Sequence, residues 1–260
     1  MAFSQRARRG VQCTIDEEPA HRLPLCIRIL WGVTVLLGAT RAAAADESAK
    51  LPWKLTVGEY AYADYYGTDV NLRWRAADTS AWLGAYSDEV FGTQARAGAD
   101  TSLNLGKFVQ LQPSLQVASK GFLGGSLNLQ VGTSWYGVAG FGRTDSRPYF
   151  KLNFDPNDAL TFGAGHHAAN GVSYLVFVVA DDRFHTGQRD WHANVQIPFG
   201  DSHATLDLLR KSGLTDAGPI TGWGFTANWD WPKWFARVAY DPHQNFSVQN
   251  AWRFASGIRF

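Results

Sequence analysis

The stretch that decides the fold reads Val109-Gln110-Leu111-Gln112-Pro113-Ser114-Leu115-Gln116-Val117. Every odd-numbered position in it is apolar and every even-numbered position is polar. Successive side chains of a β-strand point to opposite faces, so this period of two predicts a strand with one apolar and one polar face. A surface helix would instead repeat its apolar positions every three or four residues.

The same alternation recurs at residues 70–75, 126–131 and 190–197, and turn residues separate the runs. Tight turns are predicted at Ala77-Asp78, Leu105-Gly106, Asn170-Gly171, Gly200-Asp201 and Trp231-Pro232, and longer loops at residues 181–188 and 211–219. A membrane crossing takes about 10 residues plus its connection, so the chain supplies about 12 antiparallel strands, within a range of about 10 to 14.

The composition of the 260 residues fits one domain with many half-buried strands. Aromatic residues make up 14% of the chain and include 11 Trp, and the formal net charge is only +1. A charge this small argues against nucleic acid as a partner. The mean hydropathy of −0.21 does not exclude a membrane barrel, because a polar lumen face cancels the lipid face in the average.

The N-terminal segment has the pattern of a secretory signal peptide. An uncharged apolar run at residues 29–39 follows Arg22 and Arg28 and leads to four alanines ending at Ala45. The run is shorter than the about 20 residues that a transmembrane helix needs, although an N-terminal anchor is the alternative. We therefore expect a signal peptide at residues 1–45 and a β-domain at residues 46–260. Both cysteines fall in the first segment, so thiolate chemistry is not expected in the mature protein.

A soluble periplasmic all-β protein would also alternate, and two features favour a membrane barrel over it. The polar faces are rich in Gln, Asn, Ser and Arg, as a wet lumen requires. Aromatic residues gather near the ends of the runs, where amphipathic rings suit the two lipid–water interfaces; examples are Tyr65, Tyr66, Trp135, Trp229 and Trp231.

The chain ends Trp252-Arg253-Phe254-Ala255-Ser256-Gly257-Ile258-Arg259-Phe260. Apolar side chains recur at every second position counted back from Phe260, apart from Ser256. This ending resembles the C-terminal strand signal of bacterial outer-membrane β-barrel proteins, with Trp252, Phe254, Ile258 and Phe260 as the signal residues. The resemblance implies a closed, porin-like transmembrane β-barrel in the outer membrane of a Gram-negative bacterium. Its expected partners are outer-membrane lipid, lipopolysaccharide and, during biogenesis, the barrel assembly machinery.

The polar faces of the runs supply the candidate lumen. The predicted lumen residues are Asn71, Arg73, Arg75, Gln110, Gln112, Gln116, Asn128, Gln130, His192, Asn194, Gln196, Arg237, Arg253 and Arg259. The first and last strands pair in a closed barrel, so the arginines of the second and last strands are expected to lie close together. They could favour anionic solutes in a narrow pore, or simply fill a plugged interior.

One histidine segment, residues 163–171, resembles the His-x-Ser-Asn element of outer-membrane phospholipase A and the lipid A deacylases. The resemblance makes His167 the base and Asn170 the following asparagine, but Ala169 stands where the serine nucleophile belongs. Ser173 is the available substitute. Adjacent His166 and His167 point to opposite faces of a strand, which is poor geometry for one metal ion. We expect no metal and no cofactor.

These observations rank three functions. A small channel or passive barrel for small polar solutes comes first, and a barrel enzyme acting on lipid A or phospholipid comes second. A structural or adhesion role carried by the outer loops comes third. The sequence specifies neither a solute nor an oligomeric state.

Overall fold

The computed structural model describes residues 51–144, 158–182, 185–215 and 217–260. The predicted signal peptide at residues 1–45 lies outside the described residues. Within them, no helix has both the length and the apolar character to cross a membrane.

The described residues form fifteen β-strands and two short 3-10 turns, at Ser119–Gly121 and Gln244–Phe246. The strands are β1 (Trp53–Ala61), β2 (Tyr66–Ala76), β3 (Thr79–Asp88), β4 (Gly92–Thr101), β5 (Leu103–Leu105), β6 (Val109–Ala118), β7 (Phe122–Gly132), β8 (Trp135–Thr144), β9 (Ala159–His167), β10 (Ser173–Asp181), β11 (Arg189–Phe199), β12 (Ser202–Thr215), β13 (Gly218–Asp230), β14 (Trp234–Asp241) and β15 (Ala251–Arg259).

The strands form one closed antiparallel barrel. Strands that are neighbours in sequence pair with each other, except that β4 pairs with β6 instead of β5. β15 pairs with β1, from Lys54 opposite Arg259 to Ala61 opposite Trp252. Fourteen strands close the barrel, while β5 pairs only with β6, where Leu103 faces Leu111. The predicted all-β closed barrel is confirmed. The predicted number of about twelve strands was slightly low, since the observed fourteen is the upper end of the predicted range.

Short connections explain the higher number of strands. Ala77-Asp78, Thr133-Ser134 and Gly200-Asp201 each join two strands directly, so less of the chain is spent between crossings than the sequence argument allowed. The expected loop at residues 211–219 was also wrong, because β12 continues to Thr215 and β13 begins at Gly218. Leu214 faces Pro219 in this hairpin, so glycine and proline lie within paired strands there.

The two faces of the barrel differ as the alternation predicts. On β2 the side chains of Asp69 and Asn71 are buried inside, while Val70 between them is exposed outside. Leu206 and Leu208 of β12 are similarly exposed outside. A closed sheet with an apolar outer face has no free edges and fits a hydrocarbon environment.

The two rims of the barrel have different connections. β1 begins and β15 ends at one rim, which also carries the connections Ala77-Asp78, Thr133-Ser134 and Gly200-Asp201, and we call this rim the turn end. The opposite rim, the loop end, carries the connection from β10 to β11 and the connection at residues 242–250. Exposed aromatic side chains lie near both rims of the outer face, such as Phe199 and Trp229 towards the turn end and Trp191 and Trp223 towards the loop end.

Candidate functional site: the barrel lumen

Cross-strand pairing places all fourteen predicted lumen residues on the inner face. They are Asn71, Arg73, Arg75, Gln110, Gln112, Gln116, Asn128, Gln130, His192, Asn194, Gln196, Arg237, Arg253 and Arg259. Directly opposed residues share a face of a sheet, so each of these side chains can be followed to buried neighbours on the adjoining strands.

A row of three basic residues crosses the strands that close the barrel. Lys54 of β1 lies directly opposite Arg73 on β2 and directly opposite Arg259 on β15. All three side chains are on the inner face near the turn end. Like charges in directly opposed positions repel each other and destabilise a sheet.

Aromatic rings and two carboxylates surround this basic row. The Lys54 ammonium lies 3.8 Å from the centre of the Phe235 ring, and the Arg73 guanidinium lies 4.6 Å from the Trp82 ring. Arg259 forms an ion pair with Asp230, and an Arg73 nitrogen lies 3.7 Å from an Asp100 oxygen.

Lys54 itself has no carboxylate partner in the described part of the chain. Three cations and two carboxylates therefore leave the basic row with a net positive charge facing the lumen.

The described inner face is electrostatically asymmetric from one rim to the other. Five basic residues face it near the turn end, namely Lys54, Arg73, Arg75, Arg237 and Arg259, against the two carboxylates Asp100 and Asp230. Acidic residues predominate near the loop end, where the inner face carries Asp69, Asp88, Asp158, Asp181, Asp190, Asp207 and Asp241 against Arg96, Lys211 and Arg253.

A buried charged cluster ties three strands together near the loop end. Lys211 of β12 is 1% exposed, and its ammonium lies 3.0 Å from Asp241 of β14. Arg253 of β15 lies 3.0 Å from the second oxygen of the same carboxylate. Gly222 and Gly224 of β13 lie between these strands, and their missing side chains leave the space that Pro242 fills.

The connection at residues 242–250 folds against this cluster. Gln244 and Phe246 are buried, and the Tyr62 hydroxyl donates a 2.5 Å hydrogen bond to the Gln244 side chain. Lys211 donates to the carbonyl of His243, and its ammonium lies 5.1 Å from the Phe246 ring. Burial raises the pKa of the Tyr62 hydroxyl above its ordinary value, so this group stays protonated and able to donate.

The histidine candidates lie at the turn end. His166 faces outwards and stacks on Trp135, while His167 faces inwards and stacks on Tyr136. The His167 Nδ1 atom lies 2.8 Å from the Ser173 hydroxyl, because these two residues are directly opposed on β9 and β10. In the described residues no carboxylate contacts His167, so this pair lacks the acid that orients a catalytic histidine.

Asn170 belongs to the turn rather than to a strand. Its side-chain oxygen accepts a hydrogen bond from the backbone N–H of Val172, and Gly171 beside it has a φ of 84°. This arrangement is typical of a turn-forming asparagine. Nowhere in the described ranges do three His, Cys, Asp or Glu side chains come close enough to hold a metal ion.

The residues of the predicted assembly signal lie on the strand that closes the barrel. Trp252, Phe254 and Ile258 point outwards from β15, and the backbone of Phe260 exchanges hydrogen bonds of 2.9 and 3.0 Å with Trp53. The C-terminal strand therefore supplies both an apolar outer row and the last backbone pairings of the sheet.

Comparison with known proteins was informative only at the level of structure. No protein-family model matches the sequence, and no curated protein matches it either. Among solved structures, the Acinetobacter baumannii outer membrane protein Omp33 superimposes with a TM-score of 0.54 over 81% of this chain and 98% of that chain, at 8% identity. This chain has the fold of a bacterial outer-membrane β-barrel. The KdgM porin (TM-score 0.45, 11% identity, 80% of this chain and 99% of that chain) and the NanC porin (0.44, 11%, 80% and 100%) are also similar.

Outer-membrane barrels place their short turns in the periplasm and their longer loops outside. By this rule we expect the turn end to be periplasmic and the loop end to be external. The basic row with Lys54 is then expected to lie in the periplasmic half of the lumen.

The sequence analysis did not name several charged residues of the lumen, and three of them are central to the site. Lys54 stands at the start of β1, outside any clearly alternating run, and Lys211 and Asp241 meet only through the pairing of three strands. The glycines at 222 and 224, placed within a strand, are the one sequence signal that pointed to a close approach there.

Proposed function

We propose that this barrel is a passive outer-membrane channel for small polar solutes, and that it favours anions over cations. The basic row is the observation that carries the proposal. Three directly opposed cations weaken the sheet if they serve only as filling, whereas in a water-lined lumen their charge attracts anions and lowers the barrier to anion entry.

The proposed channel is narrow. The external half of the lumen is packed by the Lys211–Asp241–Arg253 cluster and by Gln244 and Phe246 of the 242–250 connection. Solutes must pass this constriction, so the proposal is limited to small molecules and ions, and the expected conductance is low.

A lipid hydrolase is the second candidate, supported by the 2.8 Å contact between His167 and Ser173. It has less support than the channel for two geometric reasons. The two side chains face the lumen instead of the lipid, and the described residues provide His167 with no acidic partner. An adhesion role is weaker still, because most described connections at the loop end are short.

Recording from the purified protein in a planar lipid bilayer tests the channel. We expect discrete conductance steps and, under a salt gradient, a reversal potential with the sign of anion preference. A bilayer that stays silent at all protein concentrations would contradict a channel, and a cation-selective reversal potential would contradict the role of the basic row. Protein heated to unfolding before reconstitution is the control for leaks caused by detergent.

A further inference from the structure

A single arginine lies between two tryptophans on the outer face of the barrel. Arg210 of β12 is directly opposite Trp191 on β11 and directly opposite Trp223 on β13. The two indole rings are exposed, at 46% for Trp191 and 61% for Trp223, and the Arg210 guanidinium lies 5.8 Å from the Trp223 ring. All three side chains point away from the lumen.

A second polar row lies immediately beyond this one, towards the loop end. Arg189 of β11 faces Ser212 of β12, which in turn faces Thr221 of β13. The two arginines are thus diagonal neighbours, with hydroxyl groups beside them. None of the outward positions of β11, β12 and β13 is acidic, and neither arginine has a carboxylate partner among the described residues.

The next rows towards the turn end are apolar, and this fixes the level of the arginines in the membrane. The row next to Arg210 on the side of the turn end consists of Ala193, Leu208 and Phe225. The following row consists of Val195, Leu206 and Ala227. Tryptophan side chains favour the lipid–water interface. The Trp191–Arg210–Trp223 row therefore marks the edge of the hydrocarbon layer that is nearest the loop end. An arginine facing lipid is tolerated at this level but costly nearer the midplane.

We propose that Arg189 and Arg210 bind a phosphate group of lipopolysaccharide lipid A in the outer leaflet. A guanidinium presents a planar pair of N–H donors that matches two phosphate oxygens, and it packs well on indole rings. The Ser212 and Thr221 hydroxyls donate to the remaining oxygens, while Leu208 and Phe225 lie against the acyl chains. The site is on the outer surface and does not depend on the proposed channel.

Native mass spectrometry of the whole purified barrel in detergent tests this site. The probes are bisphosphorylated lipid A, lipid A without phosphates, and phosphatidylglycerol. We expect the unmodified protein to retain bisphosphorylated lipid A in preference to the other two. Each arginine near a membrane surface contributes about fivefold to anionic lipid binding, so Arg210→Gln should weaken retention about fivefold and Arg189→Gln with Arg210→Gln about thirtyfold.

Two further variants distinguish lipid A binding at this site from nonspecific effects of removing a positive charge. Lys107→Gln removes an exposed cation at the opposite rim and should leave lipid A retention unchanged. Arg210→Lys keeps the charge but loses the paired donors, so its retention should fall between those of the unmodified protein and Arg210→Gln. Heat-dependent gel migration checks that every variant is a folded barrel.

Three outcomes would overturn the proposal. The double variant could retain lipid A as well as the unmodified barrel does. Phosphate-free lipid A could bind as tightly as the phosphorylated form, which would show that only the acyl chains are recognised. Phosphatidylglycerol could bind as tightly as lipid A, which would show a surface for anionic lipids in general.

Discussion

Lys54 and Arg259 lie directly opposite each other on the two strands that close the barrel, and both side chains point into the lumen. Opposed like charges destabilise a sheet by roughly 0.2–1 kcal/mol. The repulsion falls on the pairing that closes the sheet. A use for positive charge in the lumen explains why basic residues occupy both positions.

Replacing Lys54 should weaken anion preference without weakening the fold. In Lys54→Gln, an anion passing at about 7 Å in water loses about 0.6 kcal/mol of attraction and a cation loses about the same repulsion, which together lower the anion-to-cation permeability ratio about eightfold. The reversal potential under a salt gradient measures this ratio. Lys107→Gln removes the same charge from a turn outside the lumen and should have no effect. An unchanged reversal potential in Lys54→Gln would show that the basic row does not determine ion selectivity.

Shortening Phe246 should widen the external constriction. Phe246→Ala removes a buried ring that packs beside Lys211, so single-channel conductance should rise above that of the unmodified protein. Val248→Ala is the matched control, because Val248 lies in the same connection and is 69% exposed. Equal conductance in the two variants would show that the passage does not run past Phe246.

Breaking the buried charged cluster should destabilise the barrel. Asp241→Asn leaves Lys211 and Arg253 without their shared carboxylate, and losing one partner of a buried ion pair costs about 3 kcal/mol. Urea unfolding in lipid vesicles, followed by tryptophan fluorescence, measures the difference. Asp201→Asn changes an exposed turn carboxylate and should unfold as the unmodified protein does. A midpoint for Asp241→Asn equal to that of Asp201→Asn would mean that the cluster contributes little.

Removing the Ser173 hydroxyl distinguishes the channel hypothesis from the hydrolase hypothesis. If the barrel is a channel, cells that overproduce Ser173→Ala or His167→Ala have the same lipid A and phospholipid species as cells that overproduce the unmodified protein. Mass spectrometry of extracted lipids measures this. New deacylated species that disappear in both variants would favour the hydrolase instead.

Within the alternating runs, the face that a polar residue occupies can be predicted from the sequence, because strand alternation is a local property. Gln110, Gln112 and Gln116 are placed inside by their spacing alone. The number of strands was harder to predict, because it depends on the length of each connection. That length is set by turn geometry, which the residue types at Ala77-Asp78 or Thr133-Ser134 do not reveal by themselves.

Contacts between strands that are distant in sequence could not be predicted from the sequence. Lys211 reaches Asp241 only because β12, β13 and β14 pair in one particular register and because Gly222 and Gly224 leave room between them. The Lys54–Arg73 and Lys54–Arg259 pairs likewise depend on registers that no single segment determines. Closure of the sheet was enough to predict that basic residues of the second and last strands lie close together. It was not enough to identify Lys54 between them.

The separation of basic and acidic side chains between the two rims has an electrical consequence. Fixed charge of opposite sign at the two mouths makes the energy profile for a permeating ion unequal in the two directions. Current through the barrel should therefore rectify, with a larger magnitude at one voltage polarity than at the other. Because every molecule inserted in the same direction rectifies in the same sense, the current–voltage curve would also report which way the protein has entered a synthetic bilayer.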